Sequence, residues 1–141
     1  MQSGSEQARN FLGALAAVHG DGLPPAIDLE FDGNCGNRPS IEEFATRLNA
    51  FFDALGNMDI CPPVLYVTQE FYSAYITEKF QSKQLWIRDI FKTPKQKDRS
   101  AWTLWQFANR GHLPGVATFV DLNVFNGSTQ RFSTFRCSAA Q

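Results

Sequence analysis

The order of helical and extended patterns in this chain predicts an α/β fold built on parallel strands. Three observations carry the prediction. Three stretches space their apolar residues three and four apart, as amphipathic helices do. Five short apolar runs, rich in β-branched and aromatic residues, lie between Pro, Gly and polar clusters, as buried strands do. The two kinds alternate in the order α-β-α-β-α-β-β-β, which implies right-handed crossovers like those of α/β barrels and doubly wound sheets.

Ala8, Phe11, Leu12, Leu15 and Ala16 form the first helical stripe, which Gly20-Asp21-Gly22 stops. A strand from Ala26 to Glu30 follows. Ser40 is a good N-cap for the second helix, and Glu43 three residues on completes a capping box. Ile41, Phe44, Leu48, Phe51, Phe52 and Leu55 form that helix's apolar stripe. Pro62-Pro63 lead into a strand from Val64 to Thr68. A third helix from Gln69 to Phe80 turns Phe71, Tyr72, Tyr75 and Ile76 inward. The last three strands are expected at Leu85 to Arg88, Trp102 to Phe107 and Thr118 to Leu122. The Gly111 to Gly115 link is too short to hold a helix.

Composition excludes several classes. The 141 residues suit a single domain, 43% hydrophobic and 19% charged, as in ordinary globular proteins. Net charge is −1 with no basic stripe, so nucleic acid is not an expected partner. The mixed cluster from Lys92 to Arg99 reads as a solvated loop. No apolar run reaches the roughly 18 residues of a membrane span, and the polar start, Met1-Gln2-Ser3-Gly4-Ser5-Glu6, shows no signal peptide. Cys35, Cys61 and Cys137 fit one bridge plus a free thiol, or three free thiols. His19 and His112 lie far apart with no Cys or second His nearby. No metal or other cofactor is therefore expected. G-x-G-x-x-G and Walker patterns are absent, which counts against a nucleotide-binding sheet.

The most informative stretch is Pro24-Pro25-Ala26-Ile27-Asp28-Leu29-Glu30. Strand side chains alternate between faces, so Asp28 and Glu30 point to the same side at a strand exit. Two carboxylates on an apolar strand are costly unless something uses or compensates them. Such a pair suits glycosidic-bond cleavage, which needs a protonated acid and a negative partner. The plainer alternative is an acidic pair capping the turn Phe31-Asp32-Gly33-Asn34.

These residues, with Val64-Leu65-Tyr66-Val67, Leu85-Trp86-Ile87-Arg88, Leu104-Trp105-Gln106-Phe107, Gly115-Val116, Val120-Asp121-Leu122-Asn123 and Phe125-Asn126-Gly127, resemble glycoside hydrolase family 25, the N-acetylmuramidase lysozymes. The D-x-E strand, the W-Q strand and the V-D-L-N-x-F-x-G end are specific in combination. The resemblance implies an incomplete TIM-like barrel: the C-terminal part of a (β/α)5(β)3 barrel, with five strands and three helices. Residues 1–141 are then one glycoside-hydrolase domain, N-terminally truncated relative to the family. The family's first strand, with its Gly-x-Asp pattern, has no counterpart near Met1. A fragment, a late gene start and lost activity would each account for that.

By the resemblance, Glu30 matches the family's acid; the neighbouring Asp28 charge should also raise its pKa, toward proton donation at neutral pH. Asp28 and Asp121 then stabilise charge or orient the substrate's 2-acetamido group, and an Asp nucleophile and acetamido participation both remain open. Asp121 reads otherwise as a turn cap. The inward Tyr66 hydroxyl either reaches the acids or belongs to the core. Trp86 and Trp105 suit packing better than sugar platforms, but Trp86 stays with Tyr66, Arg88, Gln106 and Asn123 in the expected substrate-binding set. Arg88 would lower the pKa of any acid it pairs with.

The implied reaction is hydrolysis of the β-1,4 bond between N-acetylmuramic acid and N-acetylglucosamine in peptidoglycan, with glycan strands as the partner. The alternatives are a non-catalytic glycan-binding remnant and, on fold analogy alone, a relative with another substrate. Peptidoglycan lies outside the cytoplasmic membrane, so an active enzyme would be exported or released by lysis. With five strands, the edge of strand Ala26 to Glu30 lies open, and self-association through it is expected.

Overall fold

Two Ser-x-x-Glu spacings start the first two helices of the computed structural model, which describes residues 2–17, 22–33, 36–56, 61–80, 82–94 and 102–137. In helix α1 (Gly4–Ala16), Ser3 Oγ accepts the Glu6 N–H at 3.3 Å, and Glu6 Oε2 accepts the Ser3 N–H at 2.7 Å. In α2 (Ile41–Leu55), Ser40 and Glu43 repeat the exchange at 3.2 and 2.9 Å, as their spacing predicts. Each box satisfies backbone donors that a helix start otherwise leaves unpaired.

The chain divides into two compact units. The first comprises Met1–Pro25, Cys35–Pro62 and Phe135–Gln141, and holds α1 and α2. The two helices meet at buried Gly4, where a Cβ would run into the carbonyl oxygen of Arg47 and the backbone nitrogen of Phe51. Only glycine permits that approach. Phe11 packs edge-on to Phe51, with ring centroids 5.5 Å apart. Leu48, Phe51 and Leu55 of the expected α2 stripe are buried, whereas Ile41, in its first turn, is exposed. A Cys61–Cys137 disulfide closes this unit, and the Cys137 N–H donates to the Gly22 carbonyl at 2.9 Å. Of the two thiol readings, the bridged one is thus correct. Cys35, His19, Gly20 and Asp21 lie outside the described residues.

The second unit, Ala26–Asn34 and Pro63–Thr134, contains the sheet. Strands β1 (Ala26–Leu29), β2 (Val64–Thr68), β3 (Leu85–Arg88), β4 (Leu104–Gly111) and β5 (Val120–Phe125) lie in that spatial order. The first four are mutually parallel, and β5 runs antiparallel to β4. Leu65, Val67, Leu85 and Ile87 line one face and are almost wholly buried. Each such side chain contributes about 1.5–3 kcal/mol of burial. Helix α3 (Gln69–Tyr75) packs on β2 and buries Phe71, Tyr72 and Tyr75. Phe31 joins them, 4.9 Å from the Phe71 ring. The opposite face carries half-buried Tyr66, Thr68, Trp86 and Arg88.

The fold is thus mixed α/β with a five-stranded sheet, as expected, but it differs in detail. Among the described residues there are four α-helices rather than three, because Ser128 caps a short α4 (Thr129–Ser133) too brief to show periodicity. The expected third helix stops at Tyr75. Ile76 is extended (φ −81°, ψ 107°), and a single 3₁₀ turn over Glu78–Phe80 follows. Strands β4 and β5 reach beyond their apolar runs. The link between them is too short for a parallel crossover, so β5 returns antiparallel. Pairing then continues through two register shifts to Gly111–Val120 and recruits polar Asn109 and Arg110. No described helix is long and apolar enough to cross a membrane.

Candidate active site

The ladder register places the candidate residues in two neighbouring rungs. Asp28 aligns with Tyr66, and Tyr66 with Trp86. One step toward the C-terminal ends of the parallel strands, Thr68 aligns with Arg88, Arg88 with Gln106, and Gln106 with Asn123. Glu30 lies just beyond β1, two residues from Asp28. Asp121 lies two residues before Asn123, on the same face of β5. Because β5 is antiparallel, its start sits at the end where the parallel strands exit. Alternation therefore puts Asp28, Glu30, Tyr66, Trp86, Arg88, Gln106, Asp121 and Asn123 on one face.

Tyr66 is the centre of this group. Its hydroxyl donates to Gln106 Oε1 at 2.7 Å, and its ring meets Trp86 edge-on at 5.1 Å. Desolvation, the main cause, and the charges of Glu30, Asp28 and Asp121 push its pKa up to about 12 against the opposing Arg88 guanidinium. The phenol is therefore neutral at any physiological pH. Those influences also show that all three candidate acids lie within electrostatic reach of one hydroxyl.

The Glu30 carboxyl is held above the ordinary glutamate range. Partial burial is the largest cause, and the Asp28 charge is the second. Asp32 adds to the shift and Arg88 opposes it. The sequence reading named the Asp28 effect and the Arg88 opposition, but not the burial that exceeds both. Asp28 is also shifted upward, by partial desolvation, although its side chain remains exposed.

Four of the five expected sugar-facing groups are hydrogen-bonded to one another in two pairs. Gln106 is only 3% exposed, and its amide oxygen holds Tyr66. The Trp86 indole N–H donates to Asn123 Oδ1 at 2.8 Å, tying β3 to β5. Trp105 lies on the opposite face and donates to the Asp89 carbonyl at 2.8 Å, in keeping with a packing role. His112 is exposed and packs edge-on to Phe119, 4.8 Å away.

Sequence reasoning missed Asp32 and Asp89. Asp89 is 6% exposed, and its Oδ1 accepts the N–H groups of Phe91 and Lys92 at 3.0 and 3.1 Å. An acid just past a strand end, beside Arg88, was the available signal.

Residues 1–116 match the family model described as Glycosyl hydrolases family 25. The solved structure of a family 25 glycosyl hydrolase from Bacillus anthracis is 33% identical with a TM-score of 0.79, over 94% of this chain and 63% of that one. A bacterial lysozyme from Streptomyces coelicolor shares the fold at 22% identity and a TM-score of 0.74, over 95% of this chain and 66% of its own. Among curated proteins, the uncharacterized protein YegX of Escherichia coli is 29% identical over 133 residues, 94% of this chain and 47% of the relative. The chain thus spans about half the length of the curated relatives it matches.

Proposed function

Because the chain belongs to glycosyl hydrolase family 25, we propose that it is a peptidoglycan muramidase, cleaving the β-1,4 bond between N-acetylmuramic acid and N-acetylglucosamine. The observation that carries the reading is the raised Glu30 carboxyl at the strand exits, with Asp28 and Asp121 acting on the same hydroxyl as Glu30. The lysozyme and muramidase descriptions of its structural neighbours point the same way.

In this reading Glu30 protonates the glycosidic oxygen as the bond to the anomeric carbon breaks. A carboxyl held above its ordinary range keeps that proton at a higher pH. Asp28 and Asp121 supply negative charge to the oxocarbenium-like transition state, or orient the 2-acetamido group. Tyr66, fixed by Gln106 and protonated at physiological pH, presents a neutral wall that does not compete for the acid's role. Trp86, Arg88 and Asn123 line the sugar-facing side.

The test is turbidity clearing of purified cell walls. Glu30→Gln should keep glycan binding and lower turnover by at least about a hundredfold, the usual scale for a general acid. Near-normal clearing by this variant would remove Glu30 from the mechanism. A second reading is glycan binding without cleavage. Wall binding without clearing by the unmodified chain would support that reading.

A further inference from the structure

A cavity of about 380 Å³ opens beside the acid cluster, at the exits of β1, β2 and β3. Its lining includes Asp32, Glu70, Arg88, Phe91 and Lys92. Two of these adjoin the candidate site: Arg88 aligns with Gln106 on the site face, and Asp32 lies two residues beyond Glu30. The cavity therefore adjoins the place where the glycosidic bond would lie.

Phe91, on its rim, is 91% exposed. Its position is nevertheless held from below. Buried Asp89 accepts the backbone N–H groups of Phe91 and Lys92, and is itself fixed by Asp89 N–H to the Gln106 carbonyl at 3.2 Å and by the Trp105 indole on its own carbonyl. A large apolar ring is thus presented to water on a firmly bonded turn, which is how contact residues are displayed.

The wall chemistry discriminates between ligands. Three carboxylates line the cavity with two cations, Arg88 and Lys92; Asp89 is bonded to the Phe91 and Lys92 N–H groups, which leaves Asp32 and Glu70 to face a ligand. A neutral pyranose has no charge to match either pair. The short peptide carried by the lactyl group of muramic acid does: it bears carboxylates, an amino-bearing side chain and small apolar groups. A volume of this order suits part of a small ligand rather than a folded partner.

The geometry points to a subsite for this charged stem peptide, next to the glycan site. Its carboxylates would face Arg88 and Lys92, its ammonium group Asp32 and Glu70, and a small apolar side chain the Phe91 ring. The inference rests on the muramidase reading for the identity of the glycan, and it deepens that reading by naming the substituent the enzyme selects.

Calorimetric titration of the full chain with a disaccharide–tetrapeptide and with the same disaccharide lacking its peptide tests it. The peptide-bearing ligand should bind at least about tenfold tighter, the scale of one well-placed charge-assisted contact. That preference should largely vanish both in Phe91→Ala and in a Glu70→Gln, Lys92→Gln double variant. Equal affinities in the unmodified chain, or a preference unchanged in both variants, would overturn the subsite. An equal loss for both ligands in Phe91→Ala would mean that the ring stacks on sugar, which also ends the peptide assignment. Wall hydrolysis measured on the same preparation separates the two ideas. Cleavage without peptide preference ends this inference alone, whereas peptide preference without cleavage keeps the subsite and ends the enzyme reading.

Discussion

Glu30 is pulled two ways by residues a few positions apart in the fold. Asp28 and Asp32 raise its pKa and Arg88 lowers it, on top of the burial that raises it most. A general acid works only while protonated, so activity should fall as pH rises through the Glu30 pKa. Removing an anion lowers that pKa, and removing a cation raises it. Asp32→Asn should therefore move the alkaline limb of the pH–rate profile to lower pH, and Arg88→Leu to higher pH. A shift of either limb in the opposite sense would mean that Glu30 does not set it. Much of this was legible in the sequence: the D-x-E spacing at a strand exit identified the pair and the sign of their interaction. Asp32 was legible only as part of a turn, because no local pattern reports the path by which a loop folds back on a strand end. Gln106 was read as facing sugar because burial on a sheet face depends on neighbouring strands, and here it is the partner that fixes Tyr66.

Among the elements, the helix α1–α2 contact is the most exacting. Gly4 lies against the α2 backbone, so Gly4→Ala forces a Cβ into the Arg47 carbonyl. Overpacking of this kind costs about 1–3 kcal/mol. Denaturant unfolding should show a loss in that range, and an unchanged midpoint would mean that the helices separate at little cost. The Ser3–Glu6 spacing is the same capping-box pattern as Ser40–Glu43 and was equally legible in the sequence. Strand interiors were legible throughout because Val, Leu, Ile and Trp alternate clearly. The far ends of β4 and β5 were not. Asn109, Arg110 and Gly111 resemble a turn in sequence, and they become strand only because β5 returns beside them.

At the scale of the molecule, the Cys61–Cys137 bridge closes a loop between residues 76 apart. Restricting the unfolded chain over that distance is worth about 4 kcal/mol by chain entropy. Cys61→Ser and Cys137→Ser should each lose that much stability, and a reductant should reproduce the loss in the unmodified chain while leaving the variants unaffected. Equal stability with and without reductant would show that the bridge does not constrain the denatured state. Sequence could not choose the pair: three cysteines offer several pairings, and only the fold brings positions 61 and 137 together.

If Glu30 carries a muramidase reaction, the new chain end that cleavage creates reports it most directly. Peptidoglycan treated with the chain, reduced with borohydride and analysed by mass spectrometry should yield products ending in reduced N-acetylmuramic acid, and Glu30→Gln should abolish them. Products ending in reduced N-acetylglucosamine, or walls that bind the chain yet gain no reducing ends, would contradict it.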